Sequence, residues 1–247
     1  MKGTYLFLIV AGLCTFARCQ DHAESVYPKN AVAFSQNFLL AIKTEQPYGT
    51  FRDTLKTIDL GRLEKELRSP EQKLAFWINT YNSLVQAKIR DDVSAFEDQS
   101  NFFKTADQEI GGTKVSLDDI ESGILRLQPR STNKAFFKTF RVAQIDPRIH
   151  FTLNCGATSC PPVAFYSPEK LEEELAAAEL SFVTQTSKYD AVENQVTISE
   201  LFDWYAADFG GKAGVIQLLK RLGIVPQAVE PEIRYSTYDW HLDIENY

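Results

Sequence analysis

The chain has 247 residues, a formal charge of −7, and 44% hydrophobic and 24% charged content, which argues against a disordered or fibrous protein. No run of five or more Lys and Arg occurs, so the basic footprint that nucleic acid or an anionic membrane surface demands is missing. A chain of this size buries a core of its own without metal or disulfide staples.

The N-terminus has the layout of a secretory signal. Lys2 precedes a short apolar run from Tyr5 to Leu13, and Ala17 and Cys19 put small residues ahead of a cleavage that leaves Gln20 first. The run falls short of the ~20 apolar residues that span a bilayer. Arg18 before Cys19, and Leu13 before Cys14, argue against a lipoprotein. Residues 1–19 are therefore expected to be a signal peptide and residues 20–247 one exported domain, periplasmic or extracellular, with no membrane insertion. Loss of Lys2 and Arg18 moves the charge from −7 to −9, and loss of Cys14 and Cys19 leaves only Cys155 and Cys160.

From Val26 to Lys43, Val32, Phe38, Leu39 and Ile42 keep a helical period, which Gln46 to Gly49 breaks. Asp59 to Leu67 reads as a short helix. Ser69-Pro-Glu-Gln72 then opens a longer one with a capping box, and its apolar stripe is Leu74, Trp77, Ile78, Tyr81, Leu84 and Val85. Phe102 to Val115 predicts a hairpin turning at Gly111-Gly112. Ser116 to Asp119 forms a second capping box for a helix reaching Leu127. The β-rich alternation from Arg148 to Asn154 predicts a strand that turns at Cys155-Gly156. Ser167-Pro-Glu starts a helix with Leu171, Leu175, Ala178 and Phe182 on one face. Gln195 to Ile198 reads as a strand, Glu200 to Phe209 as a helix stopped by Gly210-Gly211, and Ala213 to Leu222 as another helix. An edge strand is expected between Glu232 and Trp240. The pattern is α+β: a single mixed domain, helix-rich, with a small antiparallel sheet.

Zinc-type His/Cys spacing, a Gly-x-Ser-x-Gly elbow, a Walker A loop and a dinucleotide fingerprint are all lacking, so neither a metal nor a cofactor is expected. The chemistry concentrates at His150-Phe-Thr-Leu-Asn-Cys155-Gly-Ala-Thr-Ser-Cys160-Pro-Pro162. Two cysteines in an exported protein are first of all a disulfide. Against that, a thiol nucleophile needs an imidazole. His150 feeds directly into Cys155, His22 lies in the leader, and His241 arrives only from the tail. Residues five apart on a strand face opposite sides, so a turn at Gly156 has to bring the two together. Asn79, Asn82, Asn154 and backbone amides after Gly156 are candidate oxyanion donors, although clamping a neighbouring backbone is the commoner task for Asn79 and Asn82. Trp77, Tyr81, Phe202, Trp204, Tyr205 and Phe209 read as core aromatics, and Asp203 and Asp208 as helix solvation or loop capping.

Four segments together resemble the domain-of-unknown-function family numbered 547, over about Ser69 to the C-terminus. They are Phe76-Trp-Ile-Asn-Thr-Tyr-Asn82, Leu117-Asp-Asp-Ile-Glu121 with Ile124-Leu-Arg126, the His150–Pro162 stretch, and Ser199-x-x-Phe-x-Trp-Tyr-x-x-Asp-Phe209. Tyr238-Asp-Trp240 is similar to the family's terminal motif. The resemblance brings no established activity with it. Plant relatives often carry Ser at the position of Cys160 while keeping Cys155, which implies that a bridge is not the family-wide purpose of Cys155. Relatives commonly have His after the Ile-Glu pair, where this chain has Ser122.

Two expectations of different class follow. One is a binding or structural module with a loop braced by Cys155–Cys160, taking an unidentified small-molecule or peptide ligand. The other is a thiol-dependent hydrolase or acyltransferase-like enzyme acting on an amide or peptide. In it Cys155 is the nucleophile and His150 the base, with Glu121, Asn79 and Asn82 orienting them. Neither expectation fixes the oligomeric state.

Overall fold

The computed structural model describes residues 30–128 and 133–245, so the expected signal peptide and His22 lie outside the described residues. Helix α1 (Ala31–Lys43) begins where the Asn30 side chain accepts from the Ala33 amide, and it buries Phe34, Phe38 and Ile42. It packs along α4 (Pro70–Asp91), with the short helices α2 (Gly49–Thr57) and α3 (Leu60–Glu66) between them in the chain. The Ser69–Gln72 capping box at the start of α4 forms in both directions, and Pro70 occupies the first turn.

Helix α4 departs from the expected one-sided stripe. Every residue from Leu74 to Ala87 is buried, including Asn79, Thr80, Asn82, Ser83 and Gln86. It is the axis of the molecule; Asn79, Asn82 and Ser83 find partners inside the protein, whereas Trp77 Nε1, Thr80 Oγ1 and Gln86 Oε1 are buried without one among the described residues.

After a 3₁₀ turn at Val93–Glu97 comes α5 (Gln99–Lys104). Phe102 therefore belongs to a helix, and the hairpin is confined to β1 (Gln108–Ile110) and β2 (Thr113–Val115). Its turn is the Gly pair, Gly111 at φ +54° and Gly112 at φ +74°, the two positive values a two-residue hairpin turn requires. The second capping box also forms, with Ser116 and Asp119 each accepting the other's backbone amide. What it opens, however, is a π-helical segment, Asp119–Leu125, and not an α-helix. The Arg126 amide reaches back five residues to the Glu121 carbonyl at 2.9 Å. Leu127 at φ +59° then ends the segment in the left-handed region.

Helix α6 (Lys134–Phe140) lays Phe136 and Phe140 edge-on against Trp77. The stretch expected as a strand from Arg148 to Asn154 is mostly a 3₁₀ turn, Pro147–Phe151. Asp146 accepts from the Arg148 amide and Pro147 presets the first position, so local capping overrides the β-rich alternation. Helix α7 (Leu171–Thr186) starts four residues later than Ser167 suggests, because the Glu174 carboxylate takes both the amide and the hydroxyl of Ser167.

The remaining strands, β3 (Lys188–Asp190), β4 (Gln195–Ser199) and β5 (Glu232–Ser236), make a mixed sheet in the order β3-β4-β5. β3 runs antiparallel to β4 while β5 returns parallel to it at the edge. The helix expected from Glu200 to Phe209 is only α8 (Leu201–Trp204), continued by turns. Gly210, at φ +80°, serves as the N-cap of α9 (Gly211–Arg221) and not as the stop of the helix before it. The fold is thus α+β and helix-rich, with a small antiparallel sheet beside the mixed one. One apolar cluster surrounds α4, and a second joins Phe151, Phe182, Val196, Phe202, Phe209 and Leu219. Among the described residues no helix is long and apolar enough to cross a membrane.

Candidate functional site

Three amide side chains on α4 hold the loops that shape the site. Asn79 donates to the Tyr166 carbonyl at 2.9 Å and accepts from the Tyr166 amide at 3.0 Å. One turn on, Asn82 donates to the Thr152 carbonyl and accepts from the Asn154 amide, each at 2.9 Å. Gln86 donates to the Asn154 side chain at 3.1 Å, and Asn154 in turn ties the Gly156 amide and the Pro161 carbonyl. Asn79 and Asn82 are fully buried and spend both ends of their amides on backbone, so Asn82 positions the His150–Pro162 stretch, Asn79 the chain at Tyr166 beyond it, and neither lines the cavity.

That stretch closes on itself. Cys155 and Cys160 are joined by a disulfide, with Cα atoms 6.0 Å apart, the separation a bridge needs. The Cys155 amide also points at the Cys160 sulfur. Gly156 (φ +90°) makes the turn where any side chain would run into Ile89, since a Cβ there would sit 2.4 Å from its Cδ1. From the C-terminal side, the Tyr238 hydroxyl lies 3.4 Å from the Cys155 sulfur and 3.1 Å from that of Cys160. The Asp243 amide meets the Gly156 carbonyl, and Thr158 donates to the His241 carbonyl. The His241 imidazole itself faces solvent, away from Cys155.

Beside this loop is a cavity of about 370 Å³. Cys155, His150 and Glu121 all line it, so three of the five site residues expected from sequence meet in one place, while Asn79 and Asn82 stand behind its wall. Ser122 joins Glu121 from the π-helical segment, and Asp118 and Arg126 from the residues that cap it; their four-residue spacing turns three side chains to one face. Trp204, Tyr205, Tyr238 and Trp240 close the other side.

The polar groups are wired in two sets. Behind the wall, the Asp208 carboxylate accepts from His150 Nε2 at 2.8 Å and from Arg126 Nε at 2.6 Å. An ionised carboxylate only accepts, so Nε2 carries the proton of that pair. Burial pushes the Asp208 carboxyl up, but the hydrogen bonds from His150 and Arg126 outweigh it and hold the group at about 2. The His150 ring lies nearly parallel to that of Tyr205 with centroids 3.9 Å apart, and the Arg126 guanidinium sits 4.5 Å from the centre of the same ring.

In the second set, Glu121 accepts from the Tyr205 hydroxyl at 2.7 Å and the Tyr81 hydroxyl at 3.2 Å. Burial, together with the negative charge of Glu121, pushes both phenols up from their ordinary range. Tyr238 is raised for the same reasons in the same order. These hydroxyls therefore remain protonated donors.

Asp208, Arg126 and the rim aromatics are the parts that sequence reasoning assigned elsewhere or passed over. Asp208 had a signal: it is a carboxylate in the otherwise apolar and aromatic end of the Phe202–Phe209 run. Among the described residues no group of three or more His, Cys, Asp and Glu is arranged to hold a metal ion.

A family model described as Protein of unknown function, DUF547, matches residues 65–183. Over that stretch the chain matches the model of the family that its motifs resemble. The match includes the α4, Glu121 and His150–Pro162 segments and stops before the Phe202–Phe209 run and Tyr238-Asp-Trp240. No curated protein matches the chain, and no solved structure does.

Proposed function

We propose that this protein is an exported binding module whose Cys155–Cys160 bridge braces one wall of a preformed ligand cavity. The observation that carries this reading is the bridge itself, because it occupies the sulfur that thiol catalysis would require. Two cysteines paired across a short loop suit an oxidising compartment and agree with the signal-like N-terminus. The wiring behind the cavity supports the same reading. His150 is turned onto Asp208, and Asn79 and Asn82 are committed to backbone, which leaves a rigid, partly aromatic recess of the size small ligands fill.

The competing reading is a thiol-dependent hydrolase or acyltransferase-like enzyme acting on an amide or peptide. It draws support from Cys155 and His150 lining one cavity. Intact-mass measurement of the purified protein, with and without reductant, separates the two. The module predicts no free thiol until reductant is added, and slow alkylation at neutral pH afterwards, as for a thiol of ordinary acidity. Two free thiols in the untreated protein, one of them alkylated rapidly, would overturn the brace and favour the enzyme.

A further inference from the structure

The chemistry of the lining selects among ligands. Glu121 and Asp118 bring negative charge to the cavity. Among the described residues the guanidinium that lines it is Arg126, and Asp208 matches it. Glu121 takes hydrogen bonds only from two neutral phenols. A carboxylate offers about four lone-pair sites, so its oxygens keep capacity for further donors. Neutral phenols bring no positive charge to offset Glu121, and Ser122 turns its hydroxyl onto Asp118.

The second observation is independent of the carboxylates. Trp204 and Trp240 are 42% and 36% exposed, unusual for tryptophan, and both line this cavity. With Tyr238 they form a continuous aromatic wall: Trp204 to Tyr238 at 4.8 Å, Tyr238 to Trp240 at 4.9 Å, and Trp204 stacked on Trp240 at 5.7 Å. The face of an aromatic ring is the negative part of its quadrupole, and indole is the strongest such surface among side chains. Acceptor-only carboxylates on one side and aromatic faces on the other call for a ligand that is positive and brings C–H or N–H donors.

We infer that the cavity receives an organic ammonium group, an alkylated or primary amine whose cationic head sits between Glu121 and the Trp204–Tyr238–Trp240 wall. The inference rests on the binding-module reading and adds the ligand's chemical class. Inorganic cations do not suit the aromatic half of the lining, and anions meet Glu121 and Asp118.

Choline and its uncharged carbon isostere, 3,3-dimethylbutan-1-ol, make the test, titrated into the purified protein while tryptophan emission is followed. Choline is expected to bind at least about tenfold more tightly than the alcohol. Glu121→Gln, which keeps an acceptor for one phenol and offers the other an N–H to accept, should weaken choline about tenfold and leave the alcohol unchanged. Trp204→Ala should weaken choline as well. Equal affinity for the two probes, or choline binding indifferent to Glu121→Gln, overturns the inference. So does a failure of both choline and butylammonium to bind. If maltose or butyrate perturbs the same tryptophans in that case, the binding module stands and only the cation assignment falls. A rapidly alkylated free Cys155 would instead remove the module reading, whatever the titrations give.

Discussion

Two polar systems are buried within a few residues of each other, and they are built differently. The amides of α4 (Asn79, Asn82 and Gln86) are uncharged, and Asn79 and Asn82 aim at backbone from the centre of the larger apolar cluster. The cleft groups (Glu121, Arg126, His150 and Asp208) are ionisable, bond side chain to side chain, and come from three separate parts of the chain. Side-chain amides that hold backbone fix where loops lie, and removing one leaves orphaned peptide groups. Ionisable groups that hold one another fix an electrostatic field, and the member facing the cavity can change without unfolding its surroundings. Polarity in a core is therefore a poor guide to function until its partners are known.

The sharpest way to break this contrast is Asn82→Ala. It strands the Thr152 carbonyl and the Asn154 amide in the interior, and the expected loss is about 4 kcal/mol in urea unfolding. A loss under about 1 kcal/mol would mean that water replaces the clamp and that α4 does not set the loop.

Asp208→Asn comes next, at about 3 kcal/mol near neutral pH, because it leaves the Arg126 guanidinium, mostly buried, without its counter-charge. It should also remove a pH dependence. Asp208 titrates at about 2 in the folded protein, below the ~3.9 of an unfolded aspartate, so its contribution is present above about pH 4 and is lost as pH falls towards 2. That contribution is on the order of 2 kcal/mol. Unfolding curves between those pH values should be steeper for the natural protein than for the variant, and superimposable slopes would show that Asp208 is not held ionised by its neighbours.

The smallest expected effect is on the other side of the contrast. Glu121→Gln keeps an acceptor for one of Tyr81 and Tyr205, and the other phenol oxygen can accept from the new amide, so stability should stay within about 1 kcal/mol while affinity for a cationic probe drops. A stability loss like that of Asn82→Ala would place Glu121 among the structural groups.

The elements that could be read from sequence are those whose cause is local. The Ser69–Gln72 and Ser116–Asp119 boxes involve residues three apart, and both form as expected. The Gly111-Gly112 turn is likewise fixed by its own two residues. What could not be read depends on distant partners. The π-helical segment shares its capping box with an ordinary α-helix, and nothing within seven residues distinguishes the two. Between Arg148 and Asn154 two local signals disagree, and the Asp146-Pro147 start prevails over the alternation. The same division holds for the site. The scarcity of histidine and cysteine picks out His150 and Cys155, and their shared cavity agrees with that. Asp208 lies 58 residues beyond His150 and 82 beyond Arg126, so no spacing rule could have joined them.

The cavity is assembled from two stretches of polypeptide that are separate in the chain. Tyr81, Glu121, His150 and Cys155 fall within residues 65–183, whereas Trp204, Tyr205, Tyr238 and Trp240 come from beyond it. Of the clamps that hold the first stretch in place, Asn82 bonds only within it, and Asn79 also reaches the Ser35 hydroxyl on α1. The two halves are nonetheless bonded to each other, Tyr205 to Glu121 and Tyr238 to the bridged sulfurs, so a change in the aromatic half is felt by the half that bears Glu121. The recess is thus a joint between two stretches of chain, and whatever fills it reports on how well they meet.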